Sequence, residues 1–352
     1  MRLKQRANLR YNTGVNKVKG GKLMKTGIRF ITLCLALLLC IGVFGCKPQG
    51  KTVAGYAVEQ NEGKNAATYP YIVHTPHATW YLAAADIELL GEDAFFAGLE
   101  KILTNQEADF SDAIAALSGY TKDEIPVIDV HTDFAAQTER AKWNKAGAWY
   151  LGPETGIYLY KGWDMACNAL LHEYTHYLTM ECCTFDLSKD GGFWAEAIAE
   201  YISMFVCTNR MWRGLESSLS EKDLKTAQKR GITDADGSLN AKKYYCYLAA
   251  YMRSGAAIGE KYSAVSETPI TLSERLIEHP QPTTISYYEA GSFFNWLTEH
   301  YGKDLVFTHM TIGQEGFREV FGEDFETLFF RWAADNDAWC TENGIVLGPM
   351  EE

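Results

Sequence analysis

The segment 164-DMACNALLHEYTHYLT-179 decides the fold, because its apolar residues recur with the period of an α-helix. Asp164 stands where an N-cap is expected, so the pattern predicts a helix from Asp164 to Thr179. His172 and His176 are four residues apart and would lie on one face, about 6 Å apart along the helix axis. Two imidazoles arranged in this way can bind one Zn²⁺ ion, each at about 2.0–2.1 Å.

Glu173, between the two histidines, is rotated to the side of their shared face. This position is close to where a bound water molecule would complete the coordination, and it is typical of a general base. Zinc sites of this kind have three protein ligands and one water molecule, so a third ligand is needed. Cys182 is one alternative, although the adjacent Cys183 favours packing or pairing of these thiols.

A second amphipathic helix is predicted at 193-FWAEAIAEY-201, after the turn Lys189–Gly192. Glu196 and Glu200 share one face of this helix, and a helix–turn–helix of this length brings Glu196 opposite the two histidines. We therefore expect Glu196 to be the third ligand. Glu200, one turn further on, is expected to accept the remaining N–H of a liganding imidazole. The alternative is that the two glutamates form an exposed acidic stripe.

The pair H-E-Y-T-H and W-A-E-A-I-A-E-Y resembles the gluzincin metallopeptidases, which include the zinc aminopeptidases and the peptidase-MA-like proteins. Ala197 replaces the glycine that usually follows the liganding glutamate in that family. The resemblance implies one Zn²⁺ ion bound by His172, His176 and Glu196, with Glu173 as the base. It also implies an α+β fold with a thermolysin-like catalytic core and a peptide or protein as substrate.

The resemblance continues at 287-YYEAG-291, because the aminopeptidase branch has a Y-E-x-G segment whose tyrosine stabilises the oxyanion. Tyr288 occupies that position and Tyr287 is the alternative. The family also has an edge strand before the H-E-x-x-H helix, where substrate adds as a further strand, and Gly156–Tyr160 fits it. The G-x-M-E-N segment that binds a free amino terminus is absent, which favours an endopeptidase over an aminopeptidase.

The first 45 residues are typical of a signal peptide, with Met24 as an alternative start. Basic residues precede an apolar run from Phe30 to Phe44, which is short for a membrane span. The run ends in V-F-G-C, which resembles a bacterial lipobox and predicts a lipid-anchored Cys46 outside the cell membrane. An uncleaved anchor helix is the alternative. Residues 46–70 are polar and predict a flexible tether.

The rest of the chain predicts two parts. Residues 71–163 are expected to form a small α/β subdomain, with a helical stretch over 80–118 that is broken near Gly91 and near Thr104-Asn105. The same subdomain includes a strand over Ile125–His131. Residues 164–345 are expected to form a mostly helical catalytic subdomain.

Charge and composition limit the partners. Residues 1–45 hold nine basic residues and no acidic ones, so the remaining chain has 24 basic and 45 acidic residues. A body this acidic repels phosphate backbones, which argues against nucleic acid as a partner. Six cysteines remain after the lipobox, and an exported chain permits disulfides among them. His74 and His77 are expected to face solvent.

Two other functions remain open at this point. The first is a non-catalytic surface lipoprotein that keeps a zinc-binding helix pair as part of its fold. The second is a zinc hydrolase that acts on cell-wall cross-links. Intact residues at 172, 173, 176 and 196 favour an enzyme over the first alternative, because loss of function would be expected to alter at least one of them.

Overall fold

In the part of the chain that the structure describes, seven strands form one mixed β-sheet; two helices separate the fourth strand from the fifth, and the other helices follow the seventh. The computed structural model describes residues 50–135, 147–187, 193–207, 221–253, 285–312 and 316–347. The strands are β1 (Thr52–Val53), β2 (Tyr56–Gln60), β3 (Tyr71–His74), β4 (Ala78–Leu82), β5 (Ile128–Thr132), β6 (Ala148–Tyr150) and β7 (Ile157–Leu159). Their order in the sheet is β1-β2-β3-β4-β5-β7-β6. Strand β5 pairs in parallel with β4 and β7, and the other pairs are antiparallel.

Most of the helices follow the strands in the sequence. They are α1 (Ala84–Leu90), α2 (Glu92–Ala116), α3 (Trp163–Tyr177), α4 (Phe193–Tyr201), α5 (Glu221–Lys229), α6 (Ala241–Arg253), α7 (Tyr287–Tyr301), α8 (Lys303–Ile312), α9 (Phe317–Phe321) and α10 (Phe325–Glu342). Short π-helical turns, Leu178–Cys182 and Ile202–Val206, extend α3 and α4. This arrangement confirms the predicted α+β class.

Alternation along the strands explains which face of the sheet is covered. Ala78, Trp80 and Leu82 in β4 are fully buried, whereas the intervening Thr79 and Tyr81 are only partly covered. Side chains of successive strand residues point to opposite faces, so the apolar set lies on one face. Most buried apolar residues of the sheet and of the helices belong to one continuous core, and Cys246, Cys340 and Ile345 form a small separate cluster.

Helix α4 is central among the helices. Its side chains are buried almost all round, and it packs against both α3 and α7. The contact with α7 is close because α7 has a glycine, Gly291, at the crossing. A Cβ atom on Gly291 would lie 2.6 Å from the Cβ of Glu200, which is too close for two carbon atoms.

Several sequence predictions need correction. The flexible tether is wrong for residues 52–60, which form β1 and β2 and pair with the sheet. The helical stretch predicted from residue 80 begins at Ala84, because residues 80–82 complete β4. The break at Gly91 is confirmed, but α2 runs without interruption through Thr104 and Asn105.

Helix α3 begins at Trp163, and its N-cap is Gly162 rather than Asp164. Gly162 has a φ of 78°, in the region that favours glycine. The sequence predicted a side-chain cap because Asp164 is a good capping residue, whereas the observed N-cap lies two residues earlier. This shift does not change the spacing of the histidines.

The cysteines and one histidine also differ from expectation. Cys182, Cys183, Cys207, Cys246 and Cys340 are all buried, and no disulfide joins any two of these five. His77 does not simply face solvent, because its Nδ1 lies 2.7 Å from the carboxylate of Glu107. The signal segment, Cys46 and the turn 189–192 lie outside the described residues. Within the described ranges, no helix has both the length and the apolar character needed to cross a bilayer.

Candidate metal centre

Helices α3 and α4 bring His172, His176 and Glu196 together. The Nε2 atom of His172 lies 3.0 Å from Oε2 of Glu196 and 3.0 Å from Nε2 of His176. The third side of the triangle, from His176 Nε2 to Glu196 Oε2, is 3.3 Å. Among the described residues, this is the one group of His, Cys, Asp or Glu side chains with three donor atoms within 4.8 Å of one another. Cys182 is not part of it.

The size of this triangle fits a tetrahedral zinc ion. With ligand bonds of about 2.0–2.1 Å, the ligand atoms of a tetrahedral site are about 3.3 Å apart. The three observed distances between donor atoms are 3.0, 3.0 and 3.3 Å. The donor set of two imidazoles and one carboxylate leaves the fourth position for water, as in catalytic sites. The residues present therefore fit Zn²⁺.

The hydrogen bond between His172 and Glu200 supplies a second argument for a cation. Oε1 of Glu200 lies 2.9 Å from Nδ1 of His172, and an ionised carboxylate can only accept, so Nδ1 carries the proton. In the neutral ring, Nε2 then has a lone pair that faces the carboxylate of Glu196. Two acceptors are held together in this way only when a positive charge lies between them, either a proton or a metal ion.

The pKa shifts at the triad have the same cause. Burial by itself lowers the pKa of His172, but hydrogen bonds to Glu196 and Glu200 outweigh burial and hold the pKa well above its ordinary value. Burial raises the pKa of Glu196, yet its hydrogen bonds to His172 and His176 win and hold that pKa well below its usual range. The cluster thus stabilises positive charge at its centre.

Glu173 is positioned by the edge of the sheet. Its Oε2 accepts a 2.7 Å hydrogen bond from the backbone N–H of Tyr150, at the end of β6. The sequence had assigned the edge strand to Gly156–Tyr160, and this is wrong, because β7 (Ile157–Leu159) lies between β5 and β6. Among the described strands, β6 is the one at this edge, beside the metal-binding helix.

The side of β6 away from β7, with which no other described strand pairs, carries main-chain groups for a further strand. Gly147 and Leu151, which flank β6, form ladder hydrogen bonds with the β7 side of the hairpin. In an antiparallel ladder the hydrogen-bonding direction alternates, so the main-chain groups of Ala148 and Tyr150 point away from β7. The bond from Tyr150 to Glu173 agrees with this direction. An extended chain can therefore pair at Ala148, next to the triad.

Of the two tyrosines that begin α7, Tyr287 rather than Tyr288 lies against the triad. The ring of Tyr287 lies edge-on to His172, with the ring centroids 5.9 Å apart. Burial raises its pKa, and the charges of Glu196, Glu200 and Glu173 raise it further, so its hydroxyl stays protonated and able to donate.

Tyr288 packs against Tyr245 on α6, with ring centroids 5.2 Å apart. Of the two candidates for the oxyanion role, the structure therefore brings Tyr287, the alternative, to the triad and packs Tyr288 against α6. Tyr287 and Tyr288 point in different directions from the first turn of α7, whose start is fixed by Ser286. The side chain of Ser286 accepts the N–H of Glu289, and Glu289 accepts the N–H of Ser286. This capping box fixes where the helix starts, and adjacent helical residues point about 100° apart.

Sequence reasoning missed two contributors to this site. The first is β6, a three-residue strand whose A-W-Y sequence is too short to be recognised by periodicity. The second is Gly291, which allows α7 to approach α4 beside Glu200. A glycine inside an otherwise helical pattern was the available signal, because such a glycine often marks close packing.

Comparison with known proteins adds no relative: no family model matches the chain, and no curated protein or solved structure matches it. The features that indicate a function are therefore the donor set at residues 172, 176 and 196, the carboxylate of Glu200 behind His172 and the edge strand β6.

Proposed function

We propose that the protein is a zinc-dependent peptidase with a gluzincin, thermolysin-like catalytic core. One observation supports this most strongly. Two imidazoles and a carboxylate from adjoining helices have donor atoms 3.0–3.3 Å apart, with Glu200 hydrogen-bonded behind His172. These distances suit one tetrahedral ion that keeps an open position.

When bound there, Zn²⁺ would polarise the scissile carbonyl and lower the pKa of its water molecule. Glu173 takes the proton from that water and passes it to the leaving amine. The hydrogen bond from Tyr150 orients the carboxylate for this transfer. Tyr287 donates its hydroxyl proton in a hydrogen bond to the oxyanion, and Glu200 keeps His172 in the correct tautomer.

The substrate is a peptide or protein in extended conformation. Its backbone pairs at Ala148 with the side of β6 away from β7, which directs the scissile carbonyl towards the triad. We propose endopeptidase activity, because the segment that holds a free amino terminus in the aminopeptidases has no counterpart here. The signal and lipobox place this activity outside a bacterial membrane, with Cys46 as the anchor; mass spectrometry of the N-terminal peptide tests that part.

The proposal is tested with Glu173→Gln. The variant is expected to bind one zinc ion per chain, because residue 173 is not a ligand, and to lose turnover of a peptide library by about 1,000-fold or more. The matched control is Glu181→Gln, two helical turns further along, which should retain activity. Zinc content is measured by elemental analysis, and cleavage is measured by mass spectrometry.

Each other result has a defined meaning. Cleavage at the wild-type rate by Glu173→Gln would refute the role of the base. Zinc binding by the wild-type protein without any cleavage would favour a non-catalytic binding protein. Cleavage of purified cell-wall material in place of peptides would favour the wall hydrolase.

A further inference from the structure

A cavity that is separate from the metal centre lies between α6, α7 and α10. Its volume is about 320 Å³, and none of the residues that line it belongs to the triad. Trp296, in its wall, follows Tyr287 by nine residues, which is about 13–14 Å along α7. The volume is at the lower end of the range for small-molecule sites, about 300–1,000 Å³.

Three tryptophans line the cavity: Trp339 is partly exposed, whereas Trp296 and Trp332 are almost fully buried and are fixed by hydrogen bonds. The indole N–H of Trp332 donates to the hydroxyl of Ser292 at 3.2 Å, and that of Trp296 donates to Asp335 at 2.9 Å. Two further lining residues are also hydrogen-bonded, because the side-chain amide of Asn336 donates to the carbonyl of Cys246. The cavity is therefore lined by side chains that are held in place before any ligand binds.

The charge around the cavity is mainly negative. Glu299, Asp335 and Glu342 contribute carboxylates, and Lys242 contributes one ammonium group. The side chains of Glu299 and Asp335 are about half exposed, at 49% and 48%, so their charges remain accessible at the mouth. Carboxylates beside aromatic walls favour cations and disfavour anions.

Lys242 shows which chemistry the cavity accommodates. Its ammonium lies 2.8 Å from a carboxylate oxygen of Glu299 and 5.3 Å from the ring centroid of Trp339. An ammonium group therefore already uses one carboxylate and one indole face at this place. Glu342 remains available for a second cation. Asp335 already accepts the N–H of Trp296 and lies 3.9 Å from Nε2 of His300, but its side chain is about half exposed. A ligand could also displace the flexible lysine side chain.

From the cavity, its three indoles and its excess of carboxylates, we propose that it binds a small organic cation: an ammonium group, primary or quaternary, on a compact apolar body. The ammonium lies against Trp339 and faces Asp335 and Glu342. The remainder of the ligand fills the rest of the cavity. This site is independent of the zinc centre and of the proposed peptidase activity.

The test compares choline with 3,3-dimethylbutanol, which has the same shape without the charge, by isothermal titration of the full-length protein. Choline is expected to bind about tenfold more tightly than the alcohol, since cation–π contact and carboxylates favour the charged ligand; tenfold corresponds to about 1.4 kcal/mol. Equal affinities, or no binding of choline or of benzyltrimethylammonium, would overturn the proposal.

Variants locate the binding. Asp335→Asn, which still accepts the N–H of Trp296, and Trp339→Leu should each weaken choline binding several-fold. Lys242→Met should strengthen it, because the competing ammonium is removed; a purely structural role for this residue would not produce tighter binding. The control is Glu323→Gln, which removes a carboxylate that pairs with Arg331 and does not line the cavity; this variant should bind choline normally. Unchanged affinity in all the cavity variants would place choline elsewhere and refute the site.

A second titration, with a lysine-containing peptide, distinguishes two sources of the organic cation. The peptide acetyl-Gly-Lys-Gly-amide carries the same ammonium on a protein side chain. Binding of this peptide in preference to choline would assign the cavity to lysine side chains of a partner protein, and the reverse would assign it to a free small molecule. Zinc content and peptide cleavage are expected to stay at wild-type values in every cavity variant, so failure of the peptidase proposal would not be confused with failure of this one.

Discussion

Replacement of Glu200 offers the sharpest test of the metal centre, because it needs no substrate. Glu200 is buried on α4, and its carboxylate lies 2.9 Å from Nδ1 of His172. Glu200→Gln keeps an oxygen that can accept the N–H of His172 but removes the negative charge. Glu200→Ala removes both, and the imidazole can then rotate or adopt the other tautomer.

The expected effect follows from the role of a carboxylate behind a liganding histidine. Such partners typically contribute about 10- to 100-fold in metal affinity, which corresponds to about 1.4–2.7 kcal/mol. We expect Glu200→Gln to weaken zinc binding by about tenfold, since only the charge is lost. Glu200→Ala should weaken it by about 100-fold, since the orienting hydrogen bond is lost as well.

The assay is competition for Zn²⁺ with a chromophoric chelator at constant pH, with folding monitored by circular dichroism. Glu323→Ala is the control, because it removes a carboxylate that pairs with Arg331 instead of a histidine. Zinc affinity in Glu200→Ala equal to that of the wild type would refute the reasoning. So would equal losses in Glu200→Ala and in the control.

Three further predictions concern the neighbours of the site and the core. Tyr287→Phe should lower kcat by about 100-fold or more while Tyr288→Phe changes it little, as steady-state kinetics on a cleaved peptide would measure; the reverse order would restore the original assignment. Gly291→Ala should displace α7 by about 1 Å and lower kcat by about 100-fold with zinc content retained, and a wild-type kcat would show that the helices need not be this close. Burial lowers the pKa of His309 to about 4, from an ordinary value of 6.5, among aromatic rings. The unfolded chain therefore binds the additional proton first, and stability should fall by up to about 3 kcal/mol as the pH drops from 6.5 to 4. Urea titrations of His309→Leu should show a shallower loss, and an unchanged pH dependence would contradict this reasoning.

The sequence determined the parts of the site that depend on local helix geometry. A spacing of four residues brings His172 and His176 onto one face of any α-helix, and the same holds for Glu196 and Glu200. Periodicity over a long apolar segment also identified α3 and α4, even though the predicted cap was two positions off. These features need no knowledge of distant residues, so they could be derived from the chain alone.

The tertiary structure decided which strand forms the edge and which tyrosine faces the triad. β6 is three residues long, and its place beside β7 depends on pairing between residues whose side chains carry little periodic signal. The choice between Tyr287 and Tyr288 depends on the residue at which α7 begins and on how closely Gly291 lets that helix approach α4. Both follow from packing between elements far apart in sequence, where a shift of one residue turns a side chain to another face.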